Sequence, residues 1–298
     1  MNKKTFAFKK IDAFTDGKSS GNPAGCVFVG ENQSVAETEM QTIATQLKGF
    51  VNETAFMTKE NGEIRLRYYS SECEVEFCGH ATIAIMHNLL SENPDFTGSD
   101  EIPIRINAGT IPVFNRVQEE NAVYIMAPSP EFCDYKPDAC ETDSVLFDGA
   151  NLIDCSKPME VINAGLRTLI VPVVSPEGCL GCSPDSEKLR NFCINNHVDI
   201  VLIYSVSAKY EECLYRTRVF APRFGYLEDP ATGSGNAAFG YYLMKYGLMP
   251  DSLLIEQSAD RENPNLIKLR KISRDGTGRI IFGGSSVLRI SGEYSLYL

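Results

Sequence analysis

The feature that most constrains this chain is a repeat. Twice along its 298 residues, a strand-like run carrying an arginine is followed by an acidic loop, a glycine turn and an apolar helix-like run. Cys78-Gly79-His80-Ala81 followed by Ala84 matches Thr232-Gly233-Ser234-Gly235 followed by Ala238, an offset of 154 residues from position 78 to position 232. Arg67 stands before Tyr68-Tyr69 upstream of the first turn, and Arg218 stands before Val219-Phe220 upstream of the second. At roughly 150 residues per domain, the length independently favours two domains over one large core. The expected architecture is two similar domains with a cleft between them. One covers residues 1–126 and the other 127–298, with the last strand free to return to the first domain.

The local pattern is α+β, rich in antiparallel pairing rather than a βαβ series. Alternation from Phe6 to Phe14, at Cys26–Val29, Thr54–Thr58 and Glu63–Tyr69, and again at Ile102–Ile106, Thr110–Asn115 and Val123–Met126, predicts strands. Ser34-Val35-Ala36-Glu37 has the form of a capping box, and the spacing of Ala36, Met40, Ile43, Ala44 and Leu47 predicts a helix over 35–47. Ala81–Leu90 reads as a buried helix. In the second half, Val145–Leu152 is helical or irregular, and Val161–Ala164 and Thr168–Val174 read as strands. Ser183 with Pro184 opens a helix over 187–195, and Ile200–Val206 and Cys213–Phe220 read as strands. Asn236–Tyr246 reads as a helix, and Ile267–Ile272, Arg279–Phe282 and Ser286–Ile290 as strands.

Composition narrows the function. With 39 acidic against 28 basic residues the net charge is −11, so a nucleic acid or an anionic membrane would be repelled over most of the surface. The longest apolar runs, such as Leu169–Val174, are strand-sized, far below the ~20 residues of a bilayer-spanning helix. The start lacks the long apolar segment of a secretory signal, and a cytoplasmic location is expected. Ten irregularly spaced cysteines are too dilute for a disulfide framework and fit a reducing compartment. Cys179 and Cys182 form a lone Cys-x-x-Cys pair, read as a structural loop, because His80, His87 and His197 supply no second half of a zinc site. No zinc site is expected from these spacings.

Each glycine turn that opens a helix exposes backbone N–H groups at the positive end of the helix dipole, a site for carboxylates or developing oxyanions. The alternative is that the glycines only allow close packing. The second turn is unusually polar, with Glu228, Asp229, Thr232, Ser234 and Asn236 within nine positions. Gly240 comes too late to complete a dinucleotide-binding Gly-x-Gly-x-x-Gly, and Gly233-Ser234-Gly235 is not the Gly-x-Ser-x-Gly of a hydrolase elbow.

Over nearly its whole length the chain resembles the PhzF-like proteins of phenazine biosynthesis, within the diaminopimelate epimerase superfamily. The resemblance runs through Asp12-Ala13-Phe14-Thr15, Gly21-Asn22-Pro23-Ala24, Asn52-Glu53-Thr54-Ala55-Phe56 and Phe77-Cys78-Gly79-His80-Ala81-Thr82. It continues through Phe220-Ala221-Pro222, Glu228-Asp229-Pro230-Ala231-Thr232-Gly233-Ser234, Glu256-Gln257 and Gly283-Gly284. It implies two domains, each a curved, mostly antiparallel sheet around a central helix, and cofactor-free proton-transfer isomerisation of a small cyclic carboxylic acid, commonly by a homodimer. By position, Glu53 takes the family's proton-shuttling carboxylate, and Gly79, His80, Asp229 and Ser234 match residues lining the substrate site.

The chemistry of these assignments is plain. Moving hydrogen between carbons needs a base whose conjugate acid can return the proton, and a carboxylate shielded from water suits that task. His80 and Asp229 would orient the substrate or relay protons, and Ser234 with the Gly79 and Gly233 amides would hold its carboxylate. The superfamily's racemases use two cysteines; here Cys78 has Thr232 as its counterpart, and a hydroxyl is too weak an acid to replace a thiol. A Cys78/Thr232-dependent dehydratase or amino-acid epimerase is the alternative enzyme, and a non-catalytic metabolite-binding protein the alternative class.

Overall fold

The protein is described by a computed structural model covering residues 3–60, 62–206 and 209–298. Its architecture follows from two helices that are apolar around most of their circumference. In Gly79–Glu92 the residues Ala81 to Asn88 and Leu90 are all buried, and in Gly233–Lys245 so are Gly233, Gly235 to Leu243. A helix with no solvent face is stable only if other elements surround it. The first is packed by the strands Lys3–Ala13, Asn22–Phe28, Glu53–Glu60 and Ser286–Tyr297; the second by Glu160–Asn163, Arg167–Pro172, Ile200–Val206 and Asn265–Arg274. The chain divides into two compact units, Met1–Ile125 with Gly283–Leu298, and Met126–Phe282.

Each unit repeats one order of strand pairings. In the first, Asn22–Phe28 lies antiparallel to Lys3–Ala13 and parallel to Glu53–Glu60, which runs antiparallel to Glu63–Ser70. That strand takes the short Glu74–Val75 antiparallel and Glu101–Ile106 parallel, and Gly109–Arg116 follows antiparallel. In the second, Arg167–Pro172 lies antiparallel to Glu160–Asn163 and parallel to Ile200–Val206, which runs antiparallel to Cys213–Phe220. That strand takes Glu228–Asp229 antiparallel and Ser252–Gln257 parallel, and Asn265–Arg274 follows antiparallel. A parallel neighbour needs a long crossover. In both units the central helix lies within the second crossover, and shorter helices, Glu37–Gln46 in one and Pro176–Gly181 with Ser186–Asn195 in the other, lie within the first. This is the two-fold α+β fold expected from the repeat.

Several local expectations change. The first helix begins at Glu37, and Ser34 does not cap it: Glu39 turns back to accept the Ala36 N–H at 2.7 Å while Lys4 holds the same carboxylate. The helix expected from Ser183 is capped by Asp185, whose carboxylate accepts the Lys188 N–H, a geometry closed to Ser183 three residues before the helix. Within the ambiguous 145–152 stretch the helix Ala139–Phe147 ends at Asp148, whose left-handed backbone stops it. Cys179 and Cys182 pack into the core of the second unit as free thiols, pushed by burial up to about 11 and about 12.

Arginine–carboxylate pairs anchor the loops that precede the central helices. Arg67 grips Glu74 with two bonds of 2.7 and 2.8 Å, and Arg218 grips Glu228 with two of 2.9 and 2.7 Å. Arg218 also donates to the carbonyls of Cys179, Leu180 and Cys182, which explains the Cys-x-x-Cys turn as a backbone cradle for a guanidinium. One further pair is sealed from water: Arg216 and Glu256 meet at 2.8 Å with side chains 2% and 0% exposed. Glu256 accepts the Lys209 and Tyr210 N–H groups, and Arg216 donates to the Ser258, Asp260 and Arg261 carbonyls.

Two stability outcomes follow. Glu256→Ala leaves a buried guanidinium unpaired and is expected to cost about 3–5 kcal/mol in urea denaturation; a loss below ~1 kcal/mol would show that the backbone carbonyls alone suffice for Arg216. A Cβ on Gly233 would lie 2.3 Å from the Phe282 ring. Gly233→Ala is therefore expected to cost about 1–3 kcal/mol, and adding Phe282→Leu should recover part of that; no recovery would place the strain elsewhere.

Candidate active site

In the first unit, three sequence-derived candidates meet. Glu53 opens the strand Glu53–Glu60, Cys78 is the residue before the central helix, and His80 is its second residue. Their donor atoms all lie within 4.8 Å of one another. His80 Nε2 is 3.4 Å from Glu53 Oε2, and Cys78 Sγ is 3.4 Å from His80 Nδ1 and 3.9 Å from Nε2. Burial pushes the His80 imidazole down to about 4, so at neutral pH it is uncharged and its approach to Glu53 is a contact of a neutral ring with a carboxyl group. Glu53 is neither buried nor freely exposed, with its side chain 20% accessible. That combination suits proton exchange, because the carboxyl can reach a ligand without being fully hydrated. The Cys78 side chain makes no capping hydrogen bond to this helix start. Below it, Tyr68 and Thr82 hydroxyls meet at 2.6 Å and Thr82 donates to the Cys78 carbonyl at 2.7 Å, which fixes the turn that carries Cys78.

In the second unit, Thr232 occupies the equivalent place with nearly the same backbone, φ −120° and ψ 107° against −134° and 106° at Cys78. Its environment differs. The Thr232 hydroxyl donates to Asp229 at 2.5 Å, and its N–H donates to Gln257 Oε1 at 3.0 Å. Gln257 Nε2 donates to the Asp229 carbonyl at 2.8 Å and to the Thr232 hydroxyl at 3.1 Å. Asn236 donates to Gln257 Oε1 and to the Thr232 carbonyl, and Asn265 donates to the Pro230 carbonyl at 2.6 Å. Gly233 is held by the close approach of Phe282, so packing requires its missing side chain while its N–H sits in the uncapped first turn. Ser234 follows on that turn, partly accessible.

The structure thus gathers Glu53, Cys78 and His80, with Gly79 between the last two, and gathers Asp229, Thr232, Gly233 and Ser234 around the second helix start. Sequence reasoning did not assign Gln257, Asn236 and Asn265, which lock the second turn. Gln257 was legible only as part of a motif, since its side chain arrives from a strand some 25 residues away. Nor were Glu74 and Glu228 singled out as arginine partners, although the 154-residue offset maps one onto the other. A separate cavity of about 390 Å³ in the first unit, lined by Val29, Val35, Met40, Thr58, Arg65 and Arg67 among others, contains none of these candidates. Among the described residues no helix is long and apolar enough to cross a membrane.

Comparison with known proteins agrees with this layout. A model of the phenazine biosynthesis-like proteins matches residues 11–292. The protein named uncharacterised isomerase YfhB of Bacillus subtilis is 27% identical over 295 residues, covering 94% of this chain and 98% of its own, and several further relatives bear the same description. The crystal structure of a PhzF-family protein of Bacillus anthracis superposes with a TM-score of 0.85 over 99% of this chain and all of that one, at 24% identity. A hydroxyproline epimerase of Agrobacterium vitis shares the fold more distantly, with a TM-score of 0.62 at 11% identity, covering 98% of this chain and 93% of that one. Since the family model matches nearly its full length, the chain belongs to the phenazine biosynthesis-like, PhzC–PhzF, family.

Proposed function

We propose that this enzyme moves a proton between two carbons of a small, cyclic carboxylic acid, with Glu53 as base and then acid. The isomerase class rests on the family and on relatives named isomerases. The observation that carries the finer reading is the contact of Glu53 with the largely buried, neutral His80 at a helix start that the Cys78 side chain does not cap. Glu53 carboxylate takes the proton from a substrate C–H, and the electron pair shifts into the conjugated acid. Glu53 carboxylic acid then returns the same proton to another carbon, so atoms and charge balance. His80, uncharged, stands 3.4 Å from the Glu53 carboxyl and orients it. The Gly79 amide is assigned to a substrate oxygen, where helix-start N–H groups favour negative charge. Asp229 positions Thr232 and, through it, the second turn.

A second reading has one observation in its favour. Cys78 Sγ lies 3.4 Å from His80 Nδ1, close enough for the imidazole to take the thiol proton and make Cys78 the base of a dehydratase or epimerase. Against it, the Thr232 hydroxyl already donates to Asp229. A metabolite-binding protein without chemistry has no use for the Glu53–His80 contact.

Proton NMR in D₂O with a panel of cyclic dihydro-acids and amino acids separates the readings. Glu53→Gln is expected to abolish deuterium wash-in while leaving ligand affinity within about tenfold, and Cys78→Ala should retain it; wash-in lost only with Cys78→Ala would transfer the chemistry to the thiol. The pH behaviour gives a second outcome. Folded His80 binds its proton only near pH 4, whereas an unfolded imidazole does so near 6.5, so between these values the unfolded chain holds more protons. Stability contributed by neutral His80 is therefore complete above about pH 6.5 and lost as pH falls toward 4, by roughly 3 kcal/mol in all. His80→Gln should flatten that slope in urea denaturation at pH 7, 5.5 and 4; an unchanged slope would show that other groups cause it.

A further inference from the structure

We propose that Glu53, Cys78 and His80 also form a binding site for a thiophilic divalent cation of the zinc class, and that its occupation shuts off proton transfer. The second clause rests on the role of Glu53 given above; the first rests on geometry alone. Among the described residues these three are the one group of metal-type donors that converge, with every ligand atom within 4.8 Å of the others. Zinc binds thiolate sulfur at ~2.3 Å and imidazole nitrogen or carboxylate oxygen at ~2.0–2.2 Å, so tetrahedral neighbours stand about 3.3–3.6 Å apart. With His80 Nε2 as the nitrogen ligand, the Glu53 oxygen is already 3.4 Å away and the Cys78 sulfur 3.9 Å. The sulfur is nearer Nδ1, at 3.4 Å, so the Cys78 side chain must swing by more than about an ångström toward the Nε2 edge to bind the same ion.

The donor set selects the ion. One sulfur, one nitrogen and one oxygen suit a borderline-soft cation such as Zn²⁺ or Co²⁺, and a thiolate does not suit Mg²⁺ or Ca²⁺, which take oxygen ligands. Three protein ligands leave a fourth position open, as in zinc sites that admit water or a ligand. Cys78 loses its thiol proton on binding, the metal–sulfur bond replaces S–H, and Glu53 gives a lone pair to the metal that it would otherwise give to a substrate proton. Inhibition follows without any change of fold. The Cys78 sulfur is buried and flanks the His80 ring, whereas the exposed thiols of Cys73, Cys140 and Cys155 belong to no such group.

Cobalt titration of the metal-free full-length protein tests this, because a thiolate ligand to Co²⁺ produces a near-ultraviolet charge-transfer band independent of any activity. One equivalent of Co²⁺ should bind with that band and be displaced by one equivalent of Zn²⁺ but not by a hundredfold excess of Mg²⁺. Cys78→Ser should remove the band with an unchanged far-ultraviolet circular dichroism spectrum. His80→Gln should weaken binding by about a hundredfold, and Glu53→Gln by at least tenfold with the band kept. A band that survives Cys78→Ser, or no band in the wild type, overturns the site. Where exchange activity is measured, equimolar Zn²⁺ should suppress it and EDTA restore it; full exchange with zinc bound overturns the inhibition. Absence of exchange from the metal-free protein counts against the Glu53 mechanism, and the cobalt spectrum still decides the site.

Discussion

A helix without a solvent face is the constraint on which everything else in each unit depends. Gly79–Glu92 and Gly233–Lys245 bury residues all round their axes, so strands must approach from several directions. A single flat sheet covers one side of a helix; the observed pairings, antiparallel with two parallel insertions, bend round it instead. The helix is itself part of the crossover that makes one insertion parallel. Core formation and topology are therefore the same event, and the chain meets the requirement twice.

Burying the helix body concentrates its unpaired polar groups at the N-terminal turn. Neither Cys78 nor Thr232 caps the turn with its side chain. The loops leading in are held from behind by Arg67–Glu74 and Arg218–Glu228, each bidentate, which fixes the turns without occupying their N–H groups. Such arginine forks give geometric specificity beyond their energy.

The two ends then diverge. At the first, a thiol, an uncharged imidazole and a carboxyl stand close together. The second is saturated: Thr232, Asp229, Gln257 and Asn236 close a ring of hydrogen bonds that holds their positions. The two helix starts of one repeated scaffold thus differ in what surrounds them.

What the sequence determined by itself is whatever depends on near neighbours along the chain. The strand-sized apolar runs of Ile200–Val206 and Cys213–Phe220, the apolar run after each glycine turn, and the repeat that set two units were all legible, since strand and helix patterns act within a few residues. Glu53 and His80 were legible as candidates through motif order. Only the tertiary structure decided what the side chains meet. Asp185 and Glu39 rather than Ser183 and Ser34 cap their helices, because capping depends on where the chain enters the turn. Gln257 reaches Thr232, Glu256 reaches Arg216 and the Cys179–Cys182 carbonyls reach Arg218 across 25 to 40 residues of sequence, distances over which spacing carries no information. The neutral state of His80 is likewise a property of burial, which is summed over the whole surrounding fold and written in no local stretch of sequence.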